Sequence, residues 1–472
     1  MEYNKRLYLS TVACLLLGSV GGNTQAAGFA LIEHSASGMD NAFAGAAAVA
    51  NDASTAWFNP AGLNLIKNHQ LTVAGHVVTG SSEFTDKGSS VNPKLTNGEV
   101  QPGSIAGPND DANSGAAFIP NLYYVRPVSE EMTFGLAINA PFGLETDYKD
   151  DWVGRYHALN SSVTALNINP SLGWQINDKL SLGAGVSLQY VQAALSKAID
   201  SSAACLSFVK QGLAELADCG NVGLTAGTPD KDSKVEQESD NVDFGFNLGL
   251  MYSVNDATRL GLAYRSGITQ ATEGDAKFTI DPDLQIVVNE VNDKLRAANA
   301  GKQVLVDTDI NATVDLPPSL SFSVAHQANS KLQLLGDITW TGWSDFEELR
   351  VELASGQDDA VTEESWEDVI RYSIGANYQL DDKWTLRTGL AYDEEAIPDE
   401  KHRTPRIPGN DRTWLSFGAG MNVNNNINLD FGYAHLFMDD AGADHTDDNG
   451  YSFRGTYEAE VNIVSAQLNW NF

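Results

Sequence analysis

From Gln70 to the last residue, Phe472, the chain alternates apolar and polar side chains in one short segment after another. Leu180, Leu182, Ala184, Val186, Leu188 and Tyr190 share one parity; Ser181, Gly183, Gly185, Ser187 and Gln189 share the other. A period of two sends successive side chains to opposite faces of a strand. Fourteen such segments are read, starting near Gln70, Gly115, Met132, Val163, Leu180, Asn241, Thr258, Thr313, Lys331, Asp368, Lys383, Arg412, Ile427 and Tyr457. Six short turns, at Val128–Glu131, Asn177–Lys179, Asn255–Ala257, Asn329–Ser330, Asp381–Asp382 and Asn424–Asn426, alternate with seven long connections. A sheet this long must close on itself. Short turns on one side and long loops on the other predict an all-β, 14-stranded antiparallel transmembrane barrel, apolar outside and wet inside. Aromatic residues near strand ends, such as Trp174, Tyr190, Trp340, Tyr378 and Trp384, fit an interfacial girdle.

Before the first segment the pattern differs. Lys5 and Arg6, the apolar run Leu7–Val20 and Thr24-Gln25-Ala26 read as a signal peptide over 1–26. Its apolar run is too short to span a bilayer as a helix, and Cys14 lies within it rather than at the cleavage point. Residues 27–66, rich in Ala and Gly and closed by Asn59-Pro60-Ala61-Gly62, read as a partly helical N-terminal hatch; 67–472 form the barrel. Fourteen strands enclose a lumen that wall side chains cannot fill, since about eight strands is the number that packs shut. The expected location is the outer membrane of a Gram-negative cell, crossed many times, with the chain a monomer among lipid and lipopolysaccharide.

The net charge of −33, from 29 basic and 62 acidic residues, argues against nucleic acid as a partner. No nucleotide-binding motif is seen, and the His residues have no strand placement beside Ser and a polar orienter, so no catalytic residues and no cofactor are expected. The acidic run 439–448 lacks the spacing and bidentate Glu of a calcium loop and reads as solvated, so no metal is expected. Cys205 and Cys219, without accompanying His, read as a disulfide closing one exported loop.

Several motifs in order carry a resemblance: AGFAL after the leader; Asn59-Pro60-Ala61; Ala140-Pro141-Phe142-Gly143-Leu144 running into Trp152-Val153-Gly154-Arg155-Tyr156-His157-Ala158; and Leu316-Pro317-Pro318-Ser319 before Thr339-Trp340-Thr341-Gly342-Trp343. Together they resemble the outer-membrane long-chain fatty acid transporters, a family that also includes uptake channels for aromatic hydrocarbons. The resemblance implies capture of a hydrophobic ligand between two external loops, transfer to a lumenal pocket lined partly by the hatch, and sideways release at a kinked third strand. It implies long-chain fatty acids or other hydrophobic small molecules as ligands. Aromatic or alkane hydrocarbon uptake is the alternative within the fold, and a surface adhesin the alternative outside it.

The residues add candidates. Phe208 and Leu213 in one loop, and Ile286 and Val287 in the next, fall near helical period and offer an oily groove. Phe29, Leu31 and Ile32 at the hatch start are expected pocket walls. A carboxylate in an apolar pocket needs a cation; Arg155 is the first choice, with Arg371 among lumen-facing arginines that include Arg259, Arg265 and Arg387. Pro120, Pro141 and Pro170, none able to donate to a ladder, mark a weakened seam around strand three, and Asn59, Pro60 and Ala61 join them as gating residues.

Overall fold

The computed structural model describes residues 28–91, 103–110 and 115–472; the leader expected over 1–26, and Ala27, lie outside the described residues. Fourteen antiparallel strands form the wall. In chain order they begin with β1 (Gln70–Asp86), β2 (Ala116–Pro127), β3 (Met132–Asn139, resuming as Gly143–Asp147), β4 (Asn160–Gln175) and β5 (Leu180–Ile199). Next come β6 (Ser233–Asn255), β7 (Thr258–Arg265 and Ile268–Thr279), β8 (Thr308–Leu316 and Ser319–Gln327) and β9 (Leu332–Thr341 and Glu348–Leu353). The wall ends with β10 (Val369–Gln379), β11 (Trp384–Asp393), β12 (Arg412–Asn424), β13 (Ile427–Met438) and β14 (Ser452–Asn471). β1 pairs with β14 from Gln70↔Asn471 to Asp86↔Gly455, which closes the barrel and removes its edges.

All six short turns share one device. A side-chain oxygen at the turn start accepts the backbone N–H groups two and three residues on: Asn177 from Lys179 and Leu180, Asn329 from Lys331 and Leu332, Asp381 from Lys383 and Trp384. Ser129, Asn255 and Asn424 do the same. This is why Asn, Asp and Ser open these turns. Outward positions such as Phe431, Tyr433 and Val464 are exposed to lipid, while inward Thr72 and Asn469 are buried and joined at 2.7 Å. Several strands run past the bilayer. β6 begins at Ser233 rather than near Asn241, and its outward residues there, Glu236 and Glu238, are charged, so the apolar alternation that marks a membrane segment is missing from that stretch.

The hatch fills the lumen with three one-turn helices, α1 (Ala36–Met39), α2 (Ala46–Val49) and α3 (Thr55–Phe58), and a 3₁₀ turn, Pro60–Leu65. It lies directly on wall backbone. Inward-facing glycines recur at its level: a Cβ on Gly183 would overlap Pro60 and Ala61, on Gly249 Asn59, on Gly261 Ala47, on Gly389 Asn41, and on Gly418 Asp40. Polar pins complete the seat. Arg387 reaches both Asp40 (2.9 Å) and Asp430 (2.7 Å), and Arg259 donates to the carbonyls of Ala48 and Val49 at the end of α2. Asn59 donates to Ala47 O at 2.7 Å and Leu250 O at 3.1 Å while accepting from Ala61 N–H.

Two helices stand on the long loops, α4 (Ser201–Lys210) and α5 (Pro282–Ala297). Each has an Asp N-cap, Asp200 and Asp281, and α5 starts with Pro at its first position.

Candidate functional site

On the loop side the barrel opens into a cavity of about 1510 Å³, lined by the inner side of α4, the 360–363 hairpin, and the loops around 401–406 and 444–451. Its surface is mixed: Phe208, Val304, Leu305 and Trp366 alternate with Lys197, His157, Arg406 and His445. A separate apolar hollow of about 590 Å³ around Gly336 lies on the lipid-facing wall, where acyl chains of the bilayer run.

Below the cavity sits an aromatic box. The Phe29 ring lies 5.0 Å from Trp343, 5.8 Å from Phe142 and 6.0 Å from both Phe346 and Trp366. Trp366 belongs to both spaces, so the box is the floor of the cavity. The hatch start holds Phe29 there by acting as a short strand: Leu31 N–H donates to Pro141 O (2.9 Å), Gly143 N–H donates to Phe29 O (3.0 Å), and Ala30 bridges Phe142. Leu31 packs on Gly143, and half-buried Ile32 lies against a neighbouring cluster with Phe43 and Trp414.

This strand occupies the break in β3. The β2–β3 ladder ends at Leu122↔Ile138; above it β2 stays paired only with β1, and β3 only with β4. Asn121 Nδ2 donates to Glu33 O and Tyr123 Oη to His34 O, so hatch residues cover the gap that the strands leave. The three prolines are not equivalent. Pro141 is at the break, and Pro120 borders it on β2 while keeping its place opposite Gly75. Pro170 keeps its place opposite Leu136 on β3 and interrupts the other ladder, between Ile168↔Leu188 and Ser171↔Gly185.

Arg155 is not aimed at a ligand. Its five N–H groups donate to Asp232 (2.5 Å), to the carbonyls of Ala106, Trp152 and Gly227, and to Tyr156 Oη, over whose ring it also stacks. A fully buried guanidinium with every donor matched is a loop fastener. Burial pushes its partner Asp232 up to about 6, against the pull of Arg155 in the other direction. Arg371 lies 2.8 Å from Asp393, donates to Ala42 O and faces the Phe43 and Trp414 rings, which makes it a hatch pin.

Four basic side chains, Lys197, Lys401, Arg406 and Arg454, line the cavity; Arg454 is paired with Asp444 and Lys401 is exposed, whereas Lys197, half-buried and inward on the outer end of β5, has no hydrogen bond or ion pair among the described residues. Around it are His157, whose buried Nε2 has no partner among the described residues, and Arg406, held by His157 O, Asn160 O and Ser161 Oγ. Burial, with His445, Lys197 and Arg406 nearby, keeps His157 well below the usual imidazole range and therefore neutral. Lys197 has the same parity as Ser187 and Gln189; placing the loop start at Gln192 hid it. The aromatic box could not be found from spacing, because its rings come from the hatch, the β3 break and two separate loops.

The loop helices pack on each other. Phe208, Leu284, Val287, Val288, Val291 and Leu295 form one cluster with bonded Cys205 and Cys219, whose Cα atoms are 5.8 Å apart. Leu213 is at the margin of that cluster, and Ile286 is 60% exposed. Of the four predicted groove residues, Phe208 alone also lines the cavity.

The model of the outer membrane protein transport protein family (OMPP1/FadL/TodX) matches residues 17–472. Outer membrane protein P1 of Haemophilus influenzae is 30% identical over 484 residues, covering 99% of this chain and all of its own. The long-chain fatty acid transport protein of Escherichia coli O6:H1 is 28% identical over 442 residues, 92% of each chain. A Pseudomonas aeruginosa FadL homologue has the same fold, with a TM-score of 0.81 at 24% identity over 94% of this chain and all of that one. The barrel, the lumenal hatch and a match along nearly the whole length place this chain in the OMPP1/FadL/TodX family of outer-membrane transport proteins.

Proposed function

We propose that this chain is a passive, monomeric outer-membrane uptake channel for long-chain fatty acids. A fatty acid enters the loop-side cavity, sets its carboxylate on Lys197 and its tail on the aromatic floor, and leaves sideways at the break in β3. One observation carries the reading: a cation without an ion partner among the described residues lines the same cavity as Trp366, one wall of an apolar box that the hatch residue Phe29 now fills. Withdrawing Phe29 exposes rings next to the one place where β2 and β3 are joined by hatch residues rather than by each other. Consumption of the ligand downstream supplies the gradient.

A neutral hydrocarbon gains nothing from Lys197. The test is saturable binding of radiolabelled oleate to detergent-folded protein, with toluene as competitor. Lys197→Gln is expected to weaken oleate roughly 10- to 100-fold, the range of a hydrogen bond to a charged group, and to leave toluene unaffected. Toluene binding without saturable oleate binding would shift the substrate to aromatic hydrocarbons, and oleate binding indifferent to Lys197→Gln would remove Lys197 as the carboxylate partner.

A further inference from the structure

The wall has a second interruption. β6 and β7 are paired up to Asn247↔Arg265 and again from Asp240↔Glu273, but no ladder pair joins Asn241–Phe246 to Ser266–Thr272. Its cause is visible in the neighbouring strands. β7 breaks at Ser266-Gly267, β8 beside it at Pro317-Pro318, and a Cβ on Gly267 would press on Leu316 O and Pro318. β7 and β8 therefore bend away from β6 over this stretch, and β7 then re-pairs with β6 with its register shifted by one residue, as beside a bulge. Ser266 alone spans the gap, its N–H donating to Phe246 O (2.9 Å) and its Oγ accepting from Phe246 N–H (3.0 Å). Ile268 fills it, lying against Gly245.

The two sides of this seam differ. Outside are Phe244 and Phe246, 68% and 47% exposed, with Tyr264 5.9 Å from Phe246. Inside are polar groups that lack partners among the described residues: both side-chain polar atoms of Gln270, which is fully buried, and Nε2 of Gln189. At the lower end stands Arg265, stacked 3.3 Å over Trp57, donating to Trp57 O and touching Ser187, with no carboxylate in ion-pair contact among the described residues. A lumenal cation without a counter-ion favours an anion from outside the chain, and open backbone in a lipid-facing wall favours a chain that can fill it.

We propose that the β6–β7 seam is a second lateral port, in which a single-chain carboxylate amphiphile places its headgroup on Arg265 and Gln270 and its alkyl tail outward past Ile268 along Phe244 and Phe246. The proposal rests on the fatty-acid reading above and adds a site to it. The probe is a C18 fatty acid carrying a diazirine at its methyl end, photolysed on the full-length protein in lipid vesicles and mapped by mass spectrometry, with unlabelled oleate as competitor. The expected result is competable label on Phe244, Phe246 or Tyr264, above the level on lipid-facing Phe322 and Ile374, and at least tenfold lower in Ile268→Trp. Arg265 also touches the hatch, so Arg265→Gln is read only alongside Ile268→Trp, which leaves that contact in place. Competable label confined to the loop-side cavity and the β3 break overturns the port and leaves the uptake reading standing. Absence of competable label anywhere removes both.

Discussion

At the scale of residues, charge placement separates a fastener from the cation proposed to meet the ligand. Arg155 and Lys197 are both basic and both belong to the loop side of the barrel, yet one is fully buried with five acceptors and the other, on the cavity wall, has none in hydrogen-bond reach among the described residues. Glu364 is a third case. It is buried, accepts from Trp366 Nε1 at 3.0 Å, and is pushed up to about 8 by burial, with Trp366 and Arg406 pulling the other way. Its ordinary value is 4.5, so between about pH 4.5 and 8 the folded protein holds a proton that the unfolded chain has released. Stability should fall as pH rises through that window and level off above it. Thermal unfolding of detergent-folded Glu364→Gln across the same range should lose this slope; an unchanged slope would assign it to another group. Neither the fastener nor the acid was legible in sequence. Arg155 meets Asp232 across 77 positions, and nothing in the order of residues records that a carboxyl near residue 364 ends up against tryptophan.

At the scale of elements, the strands were legible because the bilayer imposes one period on all of them, and the turns because Asn, Asp and Ser at each start do the same work. Strand parity placed Arg371 and Arg387 in the lumen. It could not say that both would hold the hatch, since the hatch has no period to read. Arg387 carries two buried carboxylates, so Arg387→Leu leaves Asp40 and Asp430 facing each other without a cation. Breaking a buried pair from one side costs about 3–5 kcal/mol, and a lower unfolding temperature with faster proteolysis within 28–66 is expected. Asp40→Asn combined with Arg387→Leu should recover part of the loss; no recovery would mean that the arginine acts through other contacts. The prolines show the converse limit. Each removes a donor, but only the ladders reveal which neighbour loses it, and Pro170 weakens β4–β5 rather than the β3 seam.

At the scale of the whole molecule, wall and hatch are one shape. The glycines at the hatch level lie on β5, β6, β7, β11 and β12 among others, so the seat is distributed around the circumference. Gly389→Val would meet Asn41 backbone and displace the hatch without touching a charge or a ligand group. Oleate uptake into vesicles is then expected to fall or become ungated while far-UV circular dichroism keeps its β signature; normal gated uptake would show that the seat is not needed. Fourteen strands and a plug were legible from the chain because each is a repeated or contrasting texture. The fit between them was not, because it depends on where side chains are missing.

That fit has a consequence for how the protein is made. Ala36 N–H donates to Gln467 and Asp52 accepts from the same side chain, so the middle of the hatch is fastened to the last strand of the chain. These two contacts of the plug form only when the C-terminal strand is in place. Closing the wall and fastening the plug thus share one residue, and a chain that ends before Gln467 lacks both of these contacts.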